Sequence, residues 1–195
     1  MSLKEQIYSV LVVSASEKFN RALPDVFVPS AFSPVNFVSA VSSAKRAAAE
    51  RDYDFVVINS PLPDDSGVRF AVDTVASSGT VVLFLAREEE YPETFDKLAE
   101  HGVFLMQKPM TKPSLRLASE WLISARERIR KTEKKTLSIE EKMNEIRLVN
   151  RAKWLLISEV KMTEPDAHRY IEKQAMDRCI SKRSVAEEII KTYGR

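Results

Sequence analysis

The sequence predicts a doubly wound α/β domain built on a five-stranded parallel sheet, followed by a long coiled-coil helix and a small three-helix all-α domain. Three observations predict it. Five short apolar runs between Ile7 and Met106 alternate with helix-patterned segments, the pattern of a parallel sheet covered on both faces. From Ser114 no Pro or Gly interrupts the chain until Pro165. The charge also divides: residues 1–125 carry 12 Lys and Arg against 16 Asp and Glu, whereas residues 126–195 carry 18 against 12. A net charge of +2 over 195 residues therefore hides an acidic front and a basic back, an asymmetry that points to nucleic acid or a membrane surface as partner of the basic part.

Taken in order, Ile7–Val13 reads as the first strand and Glu17–Val28 as a helix that Pro24 shortens or kinks. Val35–Val38 is a short strand, Ser42–Arg51 an Ala-rich helix and Phe55–Ile58 a buried-type strand. Ser66–Ala76 is helical and ends in Ser78-Gly79 turn chemistry. Val81–Leu85 is the fourth strand, Glu93–Glu100 a helix closing at Gly102, and Val103–Met106 the fifth strand. In such a fold the functional edge lies at the carboxyl ends of the strands.

Composition excludes several classes. The single Cys179 excludes a disulfide framework and a multi-Cys metal site, and the two histidines, His101 and His168, lie far apart. Four glycines leave no Gly-rich phosphate loop. No apolar run reaches the ~18 residues of a membrane span. Met1-Ser2-Leu3-Lys4 leads directly into a strand pattern, so no signal peptide, no membrane contact, no metal and no cofactor are expected, and the expected compartment is the cytoplasm. No nucleophile–base–orienter set is visible, so the chain is not expected to be an enzyme.

The segments Asp54-Phe-Val-Val-Ile-Asn59-Ser-Pro-Leu-Pro63-Asp-Asp-Ser-Gly67 and Phe104-Leu-Met-Gln-Lys108-Pro109 resemble the third strand with its loop and the fifth strand of a response-regulator receiver domain. The resemblance covers residues 5–125 and implies a receiver, or flavodoxin-like, fold. It also implies a phosphoacceptor pocket, here degenerate. The acceptor position is Asn59, Ser14 and Ala15 stand where an acidic pair holds Mg²⁺, Leu85 replaces the phosphate-reading hydroxyl, and only Lys108 is retained. A hard divalent cation wants oxygen ligands, carboxylates above all. The first domain, residues 1–125, is thus expected to be a pseudo-receiver. Asp64 and Asp65 are the only nearby carboxylates for a non-standard acceptor.

Ser114 is positioned to cap the helix that follows. With Leu115 at heptad position a, the a and d columns include Leu115, Leu122, Ile129, Ile139, Met143 and Ile146, a seam for a parallel homodimer. Residues 113–150 form this linker. The alternative is a break within Lys131–Leu137, with Ser138 capping a fresh helix. Beyond it, Thr163-Glu-Pro-Asp166 is a helix start, that helix runs to about Arg178, and Ser181 or Ser184 caps a last one that Gly194 stops. Ala152, Leu155 and Leu156 offer the third apolar face. Cys179 reads as a small semi-buried residue, while Tyr170 and Met176 read as packing residues.

Arg151-Ala152-Lys153, Leu155-Leu156, Met162-Thr163-Glu164, Ala167, Ala175-Met176 and Val185-Ala186 together resemble the ANTAR domain, the RNA-binding module of bacterial transcription-antitermination regulators, over residues 140–195. Trp154 departs from the family, which has Gly there. The resemblance implies a dimer binding paired hairpin loops in a leader transcript and preventing a terminator from forming, with a sensor protein as possible regulator. Loop bases are read by stacking and by Arg and Lys contacts, for which Arg147, Arg151, Lys153, Trp154, Arg178, Lys182 and Arg183 are the candidates. The competing readings are a phosphorylation-dependent regulator using Asp64 or Asp65, and an interaction scaffold without nucleic-acid binding.

Overall fold

The computed structural model describes residues 6–194; the reading of Met1–Lys4 lies outside them. Five strands, β1 (Tyr8–Val13), β2 (Phe32–Val38), β3 (Phe55–Asn59), β4 (Val81–Arg87) and β5 (Phe104–Lys108), alternate with helices α1 (Glu17–Ala22), α2 (Val41–Glu50), α3 (Val68–Ser77) and α4 (Tyr91–Leu98). Helices α5 (Lys112–Val160), α6 (Glu164–Asp177) and α7 (Lys182–Tyr193) follow. All strand pairs are parallel, in the order β2-β1-β3-β4-β5. The order reverses at β1/β3, which places the crevice of a doubly wound sheet at their carboxyl ends. The chain divides into two compact units, residues 1–131 and 132–195.

In the first unit the strands bury both faces, which is why they read as continuous apolar runs. Val10, Val12, Val57, Leu83 and Leu85 pack on one side with Leu23 and Phe27. Leu11, Val13, Val56, Ile58 and Phe84 pack on the other with Ala44, Phe70 and Leu98. Leu115, Ala118 and Leu122 complete the first layer, and Ile129 packs at its edge. This corrects the seam expected for the long helix. Leu115 and Leu122 are 5% and 1% exposed because the first turns of α5 are the fifth helix of the sheet domain, so their apolar face is consumed at home. Of the expected seam only Ile139, Met143 and Ile146 are exposed.

Local chemistry explains the remaining departures. Helix α1 is capped by Ser16 and stops at Ala22; Pro24 then sits in a 3₁₀ turn over Leu23–Asp25. Strand β2 is longer than expected and contains Pro34, tolerated because β2 is an edge strand. Helix α5 starts at Lys112, not Ser114: Thr111 and Ser114 cap each other, the Thr111 Oγ1 accepting from the Ser114 N–H at 3.2 Å and the Ser114 Oγ from the Thr111 N–H at 3.0 Å. Residues 131–137 are helical, without the alternative break.

In the second unit Ala152 and Leu156 of α5 pack with Ala167, Ile171, Val185 and Ile189. Thr163 caps α6 and Ser181, rather than Ser184, caps α7. Cys179 is exposed, and its positive φ of 50° marks the tight turn between the two helices. Among the described residues no helix is long and apolar enough to cross a membrane.

Candidate functional sites: a switch-point cleft and a nucleic-acid interface

The parallel register brings Ser14, Asn59, Arg87 and Lys108 to the carboxyl edge of the sheet. Asn59, nearly buried, ends β3 and donates from Nδ2 to the Ser14 Oγ at 3.0 Å. The Lys108 Nζ donates to the Asn59 Oδ1 at 2.9 Å and also to the Ser60 carbonyl. Burial pushes the Lys108 ammonium below its ordinary range and the nearby Arg87 charge adds to this, with Glu90 opposing. Ala15, Asn59 and Lys108 line a cleft of about 840 Å³. Leu85 is outside it; its side chain is wholly buried in the sheet's core layer, so no hydroxyl replaces the missing one.

These residues do not fit Mg²⁺. Ser14 and Ala15 supply no charge, and the Asn59 oxygen that would face a cation accepts from an ammonium instead. Both nearby carboxylates accept from backbone N–H groups. Asp64 accepts at both oxygens from the Val41 and Ser42 N–H groups, each at 2.9 Å, and so caps α2 from a distant loop. These bonds hold its carboxyl below the usual range. Asp65 accepts from the Gly67 N–H at 2.7 Å. Gly67 begins α3 with φ 83°, a conformation that disfavours side chains; an added Cβ would also meet Ile58 at 3.0 Å.

At the opposite edge lies a cluster that the sequence reading missed. Asp54 Oδ2 accepts from the Ser9 N–H at 3.0 Å and hydroxyl at 3.2 Å. Its Oδ1 accepts from Arg126 Nε at 3.0 Å and Arg130 Nη2 at 2.8 Å. Arg130 also pairs with Glu127 at 2.9 Å and lies over the Tyr8 ring. Burial alone raises the Asp54 carboxyl, but Ser9 and the two guanidiniums outweigh it and hold it below its ordinary value. Burial and the Glu127 hydrogen bond push the Tyr8 hydroxyl up to about 12. The available signal was the i, i+4 spacing of Arg126 and Arg130 on one helix face.

In the second unit the basic candidates separate into two groups. Lys153 pairs with Glu164 at 2.9 Å, Lys182 with Glu172 at 2.5 Å and Arg183 with Glu187 at 2.8 Å. Arg178 grips Glu188 through two bonds of 2.6 and 2.7 Å. These pairs hold the Glu164, Glu172 and Glu188 carboxyls below their ordinary range. Arg147, Arg151 and Trp154 are exposed, and their i, i+4, i+7 spacing puts them on one stripe of α5. Trp154 is 70% exposed and lies outside the buried core of the second unit. Met176, expected to pack, is 77% exposed, and Tyr170 is also exposed. Ala175, one residue away from Met176, takes the buried position.

The first unit has a five-stranded parallel sheet of receiver-type fold, and a helical second unit follows it in the chain. Residues 138–190 match the ANTAR domain family, so the chain carries an ANTAR domain after a domain of receiver-type fold. It is similar to the transcriptional regulatory protein PdtaR of Mycobacterium tuberculosis, 28% identical over 142 residues, which span 72% of this chain and 69% of that protein. Among solved structures, the signal receiver domain of an HD domain-containing protein from Pseudomonas fluorescens Pf-5 aligns with TM-score 0.58 and 18% identity, over 67% of this chain and 96% of that one. The adenylate cyclase from Rhodopirellula baltica aligns with TM-score 0.59 and 15% identity, over 65% and 95%. At these identities the solved structures establish the fold alone.

Proposed function

We propose that the chain is an RNA-binding transcription antiterminator that works as a dimer in the cytoplasm, with residues 140–195 reading hairpin loops of a leader transcript. The ANTAR match over residues 138–190 carries this reading. It is supported by the exposed stripe of Arg147, Arg151 and Trp154, which combines backbone-neutralising cations with a stacking platform. Lys153, Arg178 and Lys182 serve first to tie neighbouring helices through their Glu partners, Arg183 pairs along α7, and RNA phosphates would compete for all four. Holding the paired hairpins excludes the terminator fold.

The exposed Ile139, Met143 and Ile146 share one face of α5 and form an apolar strip suited to a second copy. Residues 1–125 act as a pseudo-receiver whose input, such as a sensor protein, does not require phosphoryl transfer. This reading is supported by the amide of Asn59 in place of a carboxylate and by the backbone N–H groups that Asp64 and Asp65 accept from.

A gel shift with tandem hairpin-loop RNA tests the reading. Tight binding that weakens steeply with salt is expected; affinity equal to that for a scrambled hairpin refutes it. Met143→Glu with Ile146→Glu should convert the dimer to monomer in sedimentation and weaken binding to paired hairpins. Incubation with a small phosphodonor and Mg²⁺ should leave the intact mass unchanged.

A further inference from the structure

The cleft at the carboxyl edge of the sheet holds an electrostatic imbalance. Arg87 and Lys108 are directly paired in the β4–β5 register, and neighbouring parallel strands lie only about 4.8 Å apart. Like charges placed opposite each other in a sheet are destabilising. Among the described residues neither side chain has a carboxylate partner within ion-pair distance, although Glu90 lies near enough to act on Lys108. Lys18 adds a third cation to the cleft wall; Glu88 and Glu89 also line it. The neighbouring residues Ser14, Ala15 and Asn59 carry no charge.

The Lys108 ammonium has three donors and uses two of them, on Asn59 and Ser60. Apolar Phe19, Ala22, Pro61 and Met110 also line the cleft. The volume of about 840 Å³ falls in the range of small-molecule sites and far exceeds a single phosphate.

We propose that this cleft is a reversible, metal-independent binding site for a small organic oxyanion, whose phosphoryl or carboxylate head sits between Arg87 and Lys108 and whose apolar body covers Phe19, Pro61 and Met110. The ligand neutralises the two cations that the β4–β5 register sets side by side. Such a site gives the first unit an input that needs no phosphoryl transfer. It rests on residues of that unit and not on RNA recognition.

The test is a titration of the full chain, without Mg²⁺, followed by amide ¹⁵N–¹H spectra. The probes are phenyl phosphate, benzoate and inorganic phosphate. Saturable shifts are expected at Ser16, Asn59, Ser60, Arg87 and Lys108, with phenyl phosphate or benzoate binding at least about tenfold more tightly than inorganic phosphate. Which of the two organic probes binds identifies the head group. Arg87→Gln and Lys108→Gln should each weaken binding about tenfold or more. Shifts that grow linearly without saturating, or an affinity unchanged in Arg87→Gln, overturn the proposal. If Lys108→Gln perturbs signals throughout the sheet, Arg87→Gln, at an exposed position, decides alone. Failure here leaves the hairpin gel shift unaffected, so the two readings fail separately.

Discussion

Replacing Asp54 with Asn tests whether the cluster at the amino edge of the sheet fastens α5 to its domain. The side chain keeps its shape and loses its charge. Asp54 is 13% exposed at the side chain, and Arg126 and Arg130 are 14% and 20% exposed, so solvent compensates only in part. Two charge-assisted bonds to Oδ1 become neutral-acceptor bonds, a loss of about 1 kcal/mol each. At Oδ2 an amide NH₂ would face the Ser9 N–H, leaving a donor unmatched. Arg130 retains Glu127, which limits the loss. The sum is about 2–3 kcal/mol, below the ~3–5 kcal/mol of a fully buried broken pair. For a unit of this size that lowers the melting temperature by roughly 6–12 °C. The sign with pH follows from the lowered carboxyl of Asp54. Its contribution is fully present above the unfolded pKa of about 3.9 and is lost as pH falls through the still lower folded value. Calorimetry of wild type and Asp54→Asn at pH 7, 5 and 3 should show a constant gap at the first two and a narrowed gap at the last. A variant within about 0.5 kcal/mol of wild type at pH 7, or a gap unchanged at pH 3, refutes the reasoning.

Three further outcomes are expected. Gly67→Ala should destabilise the first unit by about 1–3 kcal/mol in urea unfolding, from the left-handed backbone and the Ile58 contact; an unchanged midpoint counts against the assigned turn. Leu156→Ala, at a 2% exposed core position, should cost about 2–5 kcal/mol and lower the temperature at which hairpin binding is lost in a gel shift. Trp154→Ala should leave the thermal midpoint nearly unchanged because the ring is exposed, yet reduce hairpin affinity by about 5- to 150-fold if the indole stacks on a base; unchanged affinity removes Trp154 from the interface.

The sequence was legible wherever the chemistry is local. The five apolar runs mark buried parallel strands because a sheet covered on both faces needs no alternation, and Thr163, Ser181 and Gly102 mark ends because caps are made within a few residues. Pro34 obscured the start of β2, since a proline that excludes a central strand is harmless on an edge, and edge position is a tertiary fact. The heptad columns on α5 looked alike from Leu115 to Ile146, because periodicity reports an apolar stripe and not what covers it. Only the fold separated Leu115 and Leu122, spent on their own sheet, from Ile139, Met143 and Ile146, which remain uncovered.

Side-chain roles across long separations were likewise invisible in the linear pattern. Asp64 caps α2 from 22 or more residues away, and Asp54 joins Ser9 to arginines 72 and 76 positions later. Exposure reversed the expectations for Met176 and Tyr170, because neighbouring helical residues share hydropathy but not direction. By itself the sequence determined the doubly wound sheet and the ANTAR-like basic tail, since these depend on residue identity and short-range order. The tertiary structure alone decided that Arg87 stands beside Lys108 without a carboxylate, because strand register, not sequence distance, sets which charges must share one edge.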